Sequence, residues 1–101
     1  MKQLNDILNQ VEILDRKGPE NPHIGSVCFD SRKVEEGGVF YAVRGTRTDG
    51  HDYMDQAIKS GAVAVVCERI PGRPAGHISY ILVRDAALAL GLGAAAFYGN
   101  P

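Results

Sequence analysis

The chain has 101 residues, 45% of them apolar and 23% charged, which is the composition of a soluble globular domain with a single core. Eleven basic residues against 12 acidic ones leave a net charge of −1, so no global field draws the molecule toward nucleic acid or an anionic membrane. No apolar run reaches the roughly 18 residues that span a bilayer. The start, Met1 to Asp6, lacks a signal-peptide core, and two cysteines suit a reducing compartment. The expectation is one cytoplasmic domain over residues 1–101, with no nucleic-acid and no membrane partner.

In chain order, Leu4, Ile7, Leu8 and Val11 recur at helical spacing and predict a short amphipathic helix over residues 3–10. Ile13 to Lys17 reads as a brief strand closed by the Gly18-Pro19 break. Ser26-Val27-Cys28-Phe29-Asp30 is a β-rich run. Glu36-Gly37-Gly38 predicts a tight turn, because positive φ is cheap for glycine. Val39 to Val43 follows as a nearly continuous apolar strand, the mark of burial on both faces.

Asp49-Gly50-His51-Asp52 predicts a turn into a helix capped by Asp49 or His51. Asp52 and Asp55 fall in its first turn and Lys59 in its last, as the macrodipole favours. Tyr53, Met54, Ala57 and Ile58 form its expected buried stripe, and Gly61 its terminator. Ala62 to Cys67 is apolar throughout and predicts a central strand. Residues 70–77 hold Pro71, Gly72, Pro74 and Gly76 and predict a loop. Ser79 to Val83 is a further strand. Arg84 to Tyr98 predicts a helix, with Asp85 near its start. Gly91 and Gly93 within it each cost about 1 kcal/mol relative to alanine, which points to close packing there. That helix is apolar almost all round, so it is either deeply packed or faces a neighbour.

The element order gives an α/β layered domain, with a mixed, mostly parallel sheet flanked by helices. The Gly37-Gly38 turn separates its two strands by too little for a crossover helix, so an antiparallel pair is expected there.

Two polar clusters follow predicted strands. Asp30-Ser31-Arg32 lies where α/β sheets present ligands; Ser31 could donate to a phosphate oxygen, and Arg32 or Lys33 supply charge. A plain Asx or Ser turn with solvated charges explains the same residues. Thr46-Arg47-Thr48-Asp49-Gly50 stands equally open between a base- or sugar-contacting loop and a simple helix lead-in. No Gly-x-Ser-x-Gly elbow marks Ser31 as a nucleophile, and no partner base is designated. No catalytic residue is assigned. His23, His51 and His77 are too scattered for a zinc site, and no metal site is assigned. Cys28 and Cys67 read as small core residues. The four tyrosines, Tyr41, Tyr53, Tyr80 and Tyr98, read as core. No Gly-x-x-x-x-Gly-Lys-Ser/Thr occurs.

Phe29-Asp30-Ser31-Arg32, Gly38 to Ala42, Gly45, Asp49-Gly50-His51-Asp52-Tyr53, Ala57, Gly61 to Val66 and Phe97-Tyr98-Gly99-Asn100-Pro101, in this order and spacing, resemble the N-terminal domain of Mur ligases. The pattern is most similar to the branch that adds a third residue, diaminopimelate or lysine, to UDP-N-acetylmuramoyl-L-alanyl-D-glutamate in the bacterial cytoplasm. The resemblance implies a substrate-binding domain of a three-domain, ATP-dependent ligase of peptidoglycan biosynthesis. It implies that Phe29 (through its backbone) and Ser31 contact the uridine diphosphate, with Thr46, Arg47 and Thr48 on the uracil and ribose side. A central domain would supply the phosphate loop, ATP and Mg²⁺, and the reaction would pass through an acyl phosphate. This chain by itself would then hold no cofactor and be inactive. Alternatives are the sister ligase that adds D-Ala-D-Ala, which shares an Asp-x-Arg and Asp-Gly-His pattern, and a non-catalytic α/β interaction module docking through the last helix.

Overall fold

In the computed structural model, which describes residues 2–45 and 47–99, a five-stranded sheet is sandwiched between helices. The elements in order are β1 (Lys2–Gln3), α1 (Leu4–Ile7), β2 (Ile13–Lys17), β3 (His23–Ile24), β4 (Ser26–Cys28), a 3₁₀ turn (Ser31–Lys33), β5 (Gly38–Tyr41), a second 3₁₀ turn (Gly50–Tyr53), α2 (Met54–Lys59), β6 (Ala64–Cys67), β7 (Ser79–Val83) and α3 (Ala86–Phe97). The main sheet has the order β2-β7-β6-β5-β4, and β1 pairs with β3 in a small separate ribbon. Strands β4 to β7 run parallel, and β2 joins the edge antiparallel to β7.

The apolar strands are explained by two cores, one on each face of the sheet. Val39, Tyr41, Ala64, Val66, Ile81 and Val83 face Leu4 and Ile7 of α1 and Ala86 and Ala89 of α3. The alternate residues Phe40, Ala42, Val65, Cys67 and Tyr80 face Met54 and Ala57 of α2, with Val34 and Ile78. Period-two alternation between two apolar layers makes each strand read as apolar throughout. The α/β layered, mixed and mostly parallel sheet expected from the sequence is what forms, with β6 at its centre.

Four expectations need correction. The strands flanking Gly37-Gly38 are not antiparallel: β4 and β5 are parallel, with Val27 opposite Val39. Residues 29–37 cross over without an α-helix, using one 3₁₀ turn and a reversal at Gly37, whose φ is +84°. The sheet is mixed because of β2 instead. Gly38 must also stay small, since a Cβ there would come within 2.5 Å of Ser26 Oγ.

The first helix is shorter than its apolar spacing suggests. It closes after one turn, with the Gln3 N–H donating to Asp6 at 3.1 Å. Tyr53 and Tyr98 are exposed rather than core, whereas Tyr41 and Tyr80 are buried. The two helix glycines differ: a Cβ on Gly93 would overlap the Tyr41 hydroxyl, but one on Gly91 would meet open space. No described helix is long and apolar enough to cross a membrane.

Candidate functional site

Strands β4, β5 and β6 end on one edge of the sheet, and the segments leaving β4 and β5 enclose a cleft of about 600 Å³, a size typical of small-molecule sites. It is lined by residues 29–32, Val43, Gly45, Thr48, Gly50, Tyr53 and Gln56. The C-terminal edge of parallel strands is where α/β folds receive ligands.

The first wall forms as the chain leaves β4. Phe29 turns out of the sheet and is 65% exposed. The Asp30 carboxylate accepts the Arg32 backbone N–H at 3.0 Å, capping the 3₁₀ turn and ending the strand two residues earlier than its β-rich composition suggests. This cap turns Ser31 inward, leaving it 6% exposed, and its hydroxyl donates to Gln56 Oε1 on α2 at 3.2 Å. The Arg32 guanidinium meets both Asp30 oxygens, at 3.1 and 3.0 Å. Those bonds hold the Asp30 carboxyl down at about 2 and raise the guanidinium in turn.

The second wall is the loop after β5. Gly45 N–H donates to the Thr48 carbonyl at 2.7 Å and Gly50 N–H to the Val43 carbonyl at 2.9 Å. Gly50 is required here, since a Cβ would lie 2.7 Å from Val43 N. Asp49 anchors the loop. Its carboxylate caps the next turn through His51 N–H at 3.0 Å and lies 2.6 Å from His51 Nδ1 and 3.4 Å from Arg69. The backbone and ring bonds from His51 hold Asp49 at about 2. His51 is itself a bridge: its Nε2 accepts the Glu68 N–H at 2.9 Å, so the ring is the Nδ1–H tautomer. Glu68 then accepts the Ala86 N–H at 2.9 Å, at the start of α3.

Of the residues singled out from sequence, Phe29, Ser31 and Thr48 lie together in the cleft wall. Arg47 is exposed and does not line it, and Thr46 lies outside the described residues, as do Asn100 and Pro101 of the terminal motif. Gln56 and Tyr53 line the cleft without having been singled out for it. Nothing in a helical Gln signals a contact 25 positions away, and Tyr53 was assigned to the core by its place in the apolar stripe. The Asp49–His51 bridge had a signal in its Asp-Gly-His spacing. Cys67 is buried, and burial raises its thiol to about 11. The described residues contain no cluster of three or more His, Cys, Asp or Glu placed to hold a metal ion.

A parallel α/β edge whose strand ends enclose a cleft of mixed polar and apolar lining, with Phe29 and Tyr53 exposed beside it, is the kind of place where α/β folds receive small molecules. The chain belongs to the Mur ligase family: residues 23–98 match the family described as "Mur ligase family, catalytic domain". It is 46% identical over 98% of its length to a UDP-N-acetylmuramoyl-L-alanyl-D-glutamate–2,6-diaminopimelate ligase of Parabacteroides distasonis. It is also 46% identical over 97% of its length to the ligase of the same name from Bacteroides thetaiotaomicron. The chain spans about 20% of each of these relatives. Among solved structures it resembles a D-alanyl-D-alanyl-adding ligase of Acinetobacter baumannii, with TM-score 0.73, 25% identity and coverage of 90% of this chain and 20% of that one. It also resembles a Thermotoga maritima MurF ligase in complex with ADP, with TM-score 0.61, 36% identity and coverage of 74% and 17%.

Proposed function

We propose that this chain is the N-terminal substrate-binding domain of a longer bacterial, cytoplasmic ligase, and that it holds the uridine diphosphate end of UDP-N-acetylmuramoyl-L-alanyl-D-glutamate. The longer enzyme would add the third peptide residue at the expense of ATP. The observation that carries this is the cleft at the ends of β4 and β5, where Phe29, Ser31 and Thr48 converge in a chain of this family. Phe29 and Tyr53 offer ring faces to a planar base, and the hydroxyls and loop amides offer hydrogen bonds to a sugar and diphosphate. Thr46 and Arg47 are assigned to the uracil and ribose side of the same loop.

The amino acid is proposed to be 2,6-diaminopimelate, on the names of the relatives above. ATP and Mg²⁺ are assigned to a central domain of the longer protein, of whose relatives this chain spans about 20%; a similar solved ligase is in complex with ADP. Bound there, ATP supplies the phosphoryl group that activates the substrate carboxyl. The likeness to D-alanyl-D-alanyl-adding structures favours a second assignment, to that sister ligase.

The test is an ADP-release assay on the full-length protein. Turnover with the dipeptide precursor plus diaminopimelate is expected. Turnover only with the tripeptide precursor plus D-Ala-D-Ala would move the chain to the sister ligase. The 101-residue chain alone is expected to release no ADP with either pair.

A further inference from the structure

We infer that Gln56 is a positioning residue that sets the hydrogen-bond polarity of Ser31, so that Ser31 accepts from the ligand instead of donating to it. This rests on the uridine diphosphate role proposed above. A serine hydroxyl has one proton and two lone-pair sites. At Ser31 the proton is directed to Gln56 Oε1, 3.2 Å away, and the side chain is otherwise enclosed, with the residue only 6% exposed. What Ser31 Oγ presents to the cleft is therefore a lone pair. It matches a donor on the ligand, such as a ribose hydroxyl or a pyrimidine imide N–H, and mismatches an unprotonated phosphate oxygen.

Gln56 is suited to this task by its place. It projects from α2, whose Met54 and Ala57 are fixed in the core on the neighbouring turns, while its own head group is exposed in the cleft wall. Its backbone position is thus held by packing, and its amide remains within reach of both Ser31 and a bound molecule. Ser31 and Gln56 then act as one unit that distinguishes the nucleoside part of the ligand from its phosphates.

Uridine is the probe, because it is uncharged and isolates hydrogen-bond polarity from Coulomb attraction. Its dissociation constant is measured by NMR titration on the 101-residue chain carrying Gln56→Glu, Gln56→Met or Gln56→Lys. Methionine and lysine cannot accept the Ser31 proton and weaken uridine binding by about fivefold, the loss of one hydrogen bond, whereas glutamate, which still accepts it, weakens uridine binding less than either. Equal weakening by all three, or no change in any, overturns the inference. A ligand-free measurement decides the pair separately. In Ser31→Ala the carboxamide carbon resonance of Gln56 should move, and an unmoved resonance overturns the pairing whatever the ligand does. If wild type binds neither uridine nor UDP, the proposed function itself fails, which the unliganded resonance test does not depend on.

Discussion

At the scale of single residues, the two glycines of α3 show how one sequence signal has two causes. Gly93 sits against the buried Tyr41 hydroxyl, which has no hydrogen-bond partner among the described residues and which burial pushes well above the usual phenol range. Gly91 faces open space. Gly93→Ala should therefore destabilise by about 1–3 kcal/mol through overpacking, whereas Gly91→Ala should stabilise by about 0.5–1 kcal/mol through helix propensity. Urea denaturation of both variants checks this, and equal effects would contradict it. Tyr41→Phe removes an unsatisfied buried hydroxyl and should be close to neutral. Combined with Gly93→Ala, it should recover part of the loss, because the two groups share one space. In the cleft, Ser31→Ala should weaken UDP binding by roughly 1 kcal/mol, one hydrogen bond. Unchanged affinity in calorimetry would remove Ser31 from the site.

At the scale of elements, the polar bridge from Asp49 through His51 and Glu68 to the first amide of α3 ties the cleft loop to the opposite layer. Asp30 and Asp49 both hold their carboxyls at about 2, below the usual 3.8. On acidification the unfolded chain takes up these protons first. The stability they contribute is full above the usual value and disappears as pH falls through the folded values. Urea midpoints should therefore drop between about pH 5 and pH 2.5, and Asp49→Asn should flatten that drop while lowering stability at neutral pH. An acid limb equally steep in the variant would show that Asp49 does not carry it.

Elements were legible in the sequence wherever period and punctuation agreed. The Ala62–Cys67 run became the central strand β6, and Asp85 caps α3 by accepting the Leu88 N–H at 3.0 Å. The β4-to-β5 crossover was not legible. Strand direction there depends on one 3₁₀ turn and one positive φ, and a crossover of about a dozen residues is the ordinary minimum. The cleft was half legible, since Phe29, Ser31 and Thr48 lie on loops that end strands. Gln56 reaches them only through the packing of α2 beside the first 3₁₀ turn, which no local pattern encodes.

At the scale of the whole molecule, two apolar layers consume the alternate faces of every parallel strand, leaving the polar chemistry for the edge where those strands end. Leu88 on α3 and Tyr98 just past its end are exposed, at 61% and 72%, as the nearly all-apolar sequence of that stretch foreshadowed. The edge where β4 and β5 end thus presents the cleft, and the central claim is that this cleft receives uridine diphosphate. Amide shift mapping of the ¹⁵N-labelled chain during titration with UDP tests it most directly. The account predicts saturable shifts concentrated at Phe29–Arg32, Thr48–Gly50 and Gln56, with α3 unmoved. No shifts at millimolar UDP, or shifts centred on α3, would contradict it.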